Sequence, residues 1–125
     1  MHYVGVVFTR EDSSVEDALA PFEEMEREDG TLDGEWDWWV EGGRWEGSQD
    51  DFESGDRIPY FFLTLDGEWN AKEEYIPEGY PDEGHGYGTP KRSYFRDIPN
   101  YDERYLGYLK SVPEGTVVTV VDIHR

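Results

Sequence analysis

The chain predicts an α+β domain with a ferredoxin-like, βαββαβ order of elements, and three observations lead there. Both ends read as buried strands, HYVGVVFT at residues 2–9 and TVVTVVDIHR at 116–125. A segment with helical periodicity follows the first, over 13–27, and another precedes the last, over 101–111. Between the helices lie two short runs rich in β-formers, WDWWV at 36–40 and YFFLTL at 60–65. This is the split βαβ order, expected to set both terminal strands in one largely antiparallel sheet with helices over one face. With 125 residues the chain is expected to form a single domain, 1–125, with a modest core.

In the first strand, Tyr3, Gly5, Val7 and Thr9 alternate with Val4, Val6 and Phe8, so both faces carry apolar groups. Ser13 followed by Glu16 predicts a capping box. Val15, Ala18, Leu19, Phe22 and Met25 then recur at helical spacing, to about Arg27. Pro21 interrupts them, removing the bond to the Asp17 carbonyl and kinking the helix or starting a second short one. Alternation next puts Trp36, Trp38 and Val40 on one face of a strand and Asp37, Trp39 and Glu41 on the other. The first two tryptophans are expected in the core. Trp39 is the ring expected to be exposed, or covered by the long excursion over 76–100. Gly42-Gly43 permits a bulge or turn that lets Arg44 and Trp45 latch the strand. Residues 46–57 are polar and read as a loop, Asp66-Gly67 as a turn, and the stretch around Trp69 as a paired strand. The 76–100 segment is rich in glycine and proline and suggests a lid. In 101–111, Tyr101, Tyr105, Leu106, Tyr108 and Leu109 lie near one side of a helix that Asn100 or Asp102 caps.

Charge is the strongest compositional signal. Thirty Asp and Glu against eleven Lys and Arg give −19. Residues 1–90 hold twenty-five acids and five bases, a net of −20, while 91–125 hold five acids and six bases. Such a field repels nucleic acid and acidic membrane surfaces and attracts a basic protein groove. An aromatic content of 16% argues against an acidic disordered chain. The absence of cysteine excludes disulfide and thiolate chemistry. No stretch has the length of a membrane span or the pattern of a signal peptide, so a cytosolic protein is expected.

WDWWVEGGRWEG, then LTLDGEW, then the closing TVVTVVDIHR resemble, in motif order, small and mostly uncharacterised proteins of bacteriophages and prophages. The resemblance covers most of the chain from Trp36 onward. It implies a phage or mobile-element origin, a site of action in the host cytoplasm, and a counter-defence role of the anti-CRISPR or anti-restriction type. It carries over no activity and no catalytic residue.

The candidate site is a set of carboxylates. Glu23, Glu24, Glu26 and Glu28 end the first helical segment, and Asp50, Asp51 and Glu53 follow the tryptophans. Duplex DNA carries about one charge per 1.7 Å of axis, so carboxylates spread over a small protein can occupy the same Lys/Arg channel. Trp39 would add a desolvated anchor to them. The partner expected is a basic, nucleic-acid-binding host protein, with no direct nucleic acid, membrane or cofactor. The competing reading is a structural or accessory protein, a possible homo-oligomer, that assembles through aromatic surfaces and is acidic for solubility or salt adaptation. No metal site is expected: Asp50, Asp51, Glu53 and Asp56 flank Gly55 without the spacing of a calcium loop. His2 and His124 come close only if the terminal strands pair. No enzyme is expected either, since Asp37 and Glu41 on one extended strand are about 13 Å apart, too far for paired-carboxylate hydrolysis. Lys91, Arg92 and Arg96 are expected to pair with the protein's own acidic face.

Overall fold

The computed structural model describes residues 1–26, 28–30, 32–76 and 94–125. Within them the fold is mixed α+β, built on a five-stranded sheet. The central strand is β1 (His2–Thr9), paired antiparallel over its whole length with β9 (Val117–His124). On its other side β1 runs parallel to β5 (Phe61–Leu63), which pairs antiparallel with β6 (Trp69–Ala71). Outside β9 lies β4 (Trp38–Glu41), antiparallel to it, so the order is β4-β9-β1-β5-β6. Two small ladders stand apart, β2 (Met25–Glu26) with β3 (Leu32–Asp33), and β7 (Glu73–Ile76) with β8 (Tyr94–Asp97).

Both faces of the sheet are covered, which corrects the expectation of helices on one side. On one face Val4, Val6 and Phe8 of β1 meet Phe62, Val120, Phe52 from α2 (Gln49–Ser54), and Tyr101 and Tyr105 from α3 (Tyr101–Ser111). On the other, Val7 meets Phe61, Leu63, Val121, Ile123, Trp36 and Leu19 from α1 (Val15–Leu19). The cause is in the central strand: with apolar residues on both sides, one layer of helices leaves half of β1 in water. Gly5 makes room for this packing. A Cβ there would stand 1.9 Å from the Phe61 ring, and that ring is wholly buried and stacked on Trp69 at 4.0 Å.

The first helical segment is shorter than its periodicity suggests. Ser14, not Ser13, caps it by accepting from the Asp17 N–H, and α1 ends at Leu19. Pro21 lies in a 3₁₀ turn over Ala20–Phe22, after which the chain is extended. Glu23, Glu24 and Glu26 are therefore not on a helix. The polar 46–57 segment, read as a loop, contains α2. Its one buried residue, Phe52, seats it on the sheet, and a single apolar residue leaves no period to read. Gln49 of α2 also bonds the outer edge of β9, donating to the Val118 carbonyl and accepting from the Val120 N–H. The hairpin turn at Asp66-Gly67, the strand around Trp69, the helix over 101–111 and the terminal strands lie where the sequence places them. Of the 76–100 excursion, 94–97 forms β8 and 77–93 lie outside the described residues.

Two outcomes follow from this core. Gly5→Ala should cost about 1–3 kcal/mol by overpacking against Phe61, read as a lower urea midpoint at unchanged slope. The second concerns buried phenols. Tyr101 and Tyr105 donate to the Pro59 and Phe52 carbonyls, each at 2.6 Å, and burial raises the pKa of both. Tyr60 is pushed up to about 12, by burial first and then by Glu73. A phenol that holds its proton more tightly when folded adds stability that is complete below its unfolded value of about 10. That stability is lost as pH rises through the folded values. Absorbance at 295 nm should show Tyr101 and Tyr105 ionising together with unfolding; their ionisation in a still-folded protein would contradict this.

Candidate functional site

The predicted carboxylates fall in two places that the fold does not bring together. Glu23, Glu24, Glu26 and Glu28 follow α1, whose Leu19 packs on one face of the sheet. Asp50, Asp51 and Glu53 lie on α2, whose Phe52 packs on the other. Glu24 is half-buried and the other six are exposed. None of the seven makes an ion pair among the described residues; the carboxylates that do are Asp122, Glu74, Asp37 and Glu35. Their partners are His2, Arg96, His124 and Arg125. Asp50 and Asp51 stand in the first turn of α2, and the Gln49 amide donates to Glu53. Arg96 pairs with Glu74 at 2.6 Å, while Lys91 and Arg92 lie outside the described residues.

The tryptophan strand is arranged differently from its alternation. Glu35 and Trp36 bond the segment 22–24, with Glu35 N–H donating to Phe22 and Glu24 N–H to Trp36. Asp37 N–H then crosses to the His124 carbonyl, and 38–41 pairs with β9. This change of partner resets the period. Trp36, donating its indole N–H to Leu19, and Trp39 both pack toward the α1 face, and Trp38 points the opposite way. Trp38 is the exposed ring, at 47%, and Trp39 is partly buried, which reverses the expectation for the pair. Nothing in the local sequence announces the switch, because it depends on a contact with residues 22–24.

Register sets Trp38, His124 and His2 side by side across β4, β9 and β1, with Val40, Asp122 and Val4 in the next row. The pairing of the terminal strands thus joins the two histidines, whose ring centroids are 5.3 Å apart. His2 meets the edge of Trp38 at 5.8 Å. Each imidazole has its own carboxylate: His2 Nδ1 lies 2.8 Å from Asp122, and His124 Nδ1 lies 2.7 Å from Asp37. The Met1 amino group lies 3.1 Å from His124 Nε2. A carboxylate on Nδ1 places the proton there and leaves Nε2 as the basic nitrogen.

Asp122 is 2% exposed, and its second oxygen accepts from the Arg44 backbone N–H at 3.1 Å. The latch predicted for Arg44 is therefore made through its main chain. The turn has to be glycine: Gly43 has φ +52, and a Cβ would fall 2.4 Å from that of Asp122. Among the described residues no group of three or more His, Asp or Glu is arranged to hold a metal ion. A mixed-charge cleft of about 370 Å³ is lined by Glu35, Glu73, Glu74, Arg104 and Arg125 with Trp69 and Tyr75. No described helix is long and apolar enough to cross a membrane. No protein-family model, curated protein or solved structure matches the chain.

Asp122→Ala should strand both the Arg44 N–H and the His2 imidazole, at about 2 kcal/mol or more. His2→Ala removes one bond at a partly open position and should cost about 1 kcal/mol. Urea unfolding of the two variants checks the order; equal effects would remove Asp122 from its role as the joint between β1, β9 and the Gly43 turn.

Proposed function

We propose that the protein is an acidic binding module that occupies the basic groove of a nucleic-acid-binding protein and blocks it sterically, without a reaction or a cofactor. The observation that carries this reading is the set of seven exposed or half-exposed carboxylates, none of which pairs with a base among the described residues. A free carboxylate on the surface costs nothing to desolvate until a partner arrives, and it draws basic partners by long-range attraction. Placement on both faces of the sheet suits a groove that wraps the protein, as it would wrap a duplex. In this reading, which takes its target from the motif resemblance, the partner is a host defence protein of the CRISPR or restriction kind, met in the cytoplasm of a bacterial host. The sheet departs from the ferredoxin-like order: β1 lies directly beside the parallel β5, where a split βαβ unit sets an antiparallel strand between the parallel pair, and β4 lies outside β9.

A second reading has its own support. Trp38, Val40, Tyr75 and Phe95 are large apolar residues at the surface, and Tyr75 and Phe95 meet across β7 and β8 at 5.4 Å. A structural or accessory protein that self-associates through such rings would be acidic only for solubility.

Retrieval from a bacterial lysate on the immobilised protein separates the two. The expected result is a basic protein that no longer binds nucleic acid once captured. Single changes such as Glu26→Gln should weaken capture less than about twofold, because exposed pairs contribute little individually. Reversal of Glu23, Glu24 and Glu26 to Lys together with Asp50, Asp51 and Glu53 should abolish it. Recovery of no basic protein, or of one still active on nucleic acid, overturns the reading.

A further inference from the structure

Among the described residues β4 is the outermost strand of the sheet, and no strand pairs with its outer edge. Gly42 N–H donates to the Val120 carbonyl in register with the ladder, so even-numbered residues turn their backbone groups toward β9. The N–H and C=O of Trp39 and Glu41 then point outward, and they have no partner among the described residues. Upstream, the same edge is occupied by residues 22–24, which bond Glu35 and Trp36. Downstream, where β9 extends past β4, the Gln49 amide fills the outer edge at Val118 and Val120. Among the described residues the chain thus closes its edge on either side of 38–41 and not at 38–41. Proteins ordinarily blunt an open edge with lysine, proline or a bulge. WWVE has none of these and carries Trp38 and Val40 exposed on one side.

Charge decides what fits. Asp37 and Glu41 lie at the two ends of the open edge, with Glu23 and Glu24 beyond one and Glu46 beyond the other. A second copy of the chain would bring two nets of −19 together and set acid against acid. We propose that this edge receives an extended basic segment of the partner protein, added to the sheet as a sixth strand with an Arg or Lys over Trp38. Main-chain bonds to Trp39 and Glu41 supply the docking, and the flanking carboxylates with the Trp38 ring select cationic side chains. The inference rests on the acidic-module reading and adds where the partner is gripped and in what conformation.

The probe is a synthetic peptide alternating arginine and valine, compared with the same peptide N-methylated at every second amide along one edge. The expected result is saturable binding of the first, weaker by about tenfold or more for the peptide methylated on its bonding edge. Hydrogen exchange should slow at the Trp39 and Glu41 amides and not at Val118. Glu41→Pro, which removes an outward N–H and no ladder bond, should lose binding, whereas Glu41→Gln should lose only a few-fold. Trp38→Ala should weaken the peptide more than Trp39→Ala, given equal unfolding midpoints. Equal binding of parent and both methylated forms, with unprotected amides, overturns the strand addition and leaves the acidic module standing. Failure of all the peptides to bind at low salt overturns both. A concentration-dependent dimer with those amides protected assigns the edge to a second copy instead.

Discussion

The β1–β9 ladder is the interaction on which everything else rests. It is an eight-residue antiparallel pairing that joins the two ends of the chain. It fixes which residues of β1 face α1 and which face α2 and α3, because the side-chain period of a strand is two and a slip of one residue exchanges the faces. Gly5 and Phe61 then have one compatible register, with the ring lying where a side chain would otherwise be. The same ladder brings His2 to Asp122, and Asp122 to the turn at Gly43. Burial of a carboxylate there is tolerated because both oxygens have donors.

What the sequence makes legible is what is encoded locally. The terminal strands, the Asp66-Gly67 hairpin and the helix over 101–111 each carry their own period or turn chemistry. What it hides is what depends on distant partners. The tryptophan run reads as one strand, yet its two halves pair with different elements, 22–24 and β9, so alternation across the joint misassigns Trp38 and Trp39. α2 hides for a related reason. Its helix is held by Phe52 and by the Gln49 amide on β9, neither of which forms a pattern. The histidine pair is intermediate. Its proximity follows from terminal-strand pairing, while its carboxylates follow only from the register. The carboxylate clusters are fully visible in the sequence, and their division between opposite faces is not.

The distribution of ion pairs gives the acidity a structural logic. Residues of the last third of the chain, Arg96, His124 and Arg125, pair with Glu74, Asp37 and Glu35. The clusters at 23–28 and 50–53 are left to the solvent. The two clusters adjoin elements packed on opposite faces of the sheet, and salt screens the repulsion between exposed charges. The Asp37–Glu41 edge combines backbone unpaired among the described residues with both charge and an exposed ring.

Pairing the first strand with the last has a consequence for the order of assembly. β1 is synthesised before its partners, and of its two neighbours the antiparallel one is made after every other element described. Until then β1 has only the three-residue β5 to pair with along its edges. The sheet therefore closes over a loop spanning most of the chain, the kind of non-local contact that slows folding. During that interval the growing chain carries HYVGVVFT, an apolar strand with the edge that β9 will take still open. The high charge of the segments that follow it offers a second benefit at this stage: it keeps neighbouring nascent chains apart until the final strand arrives.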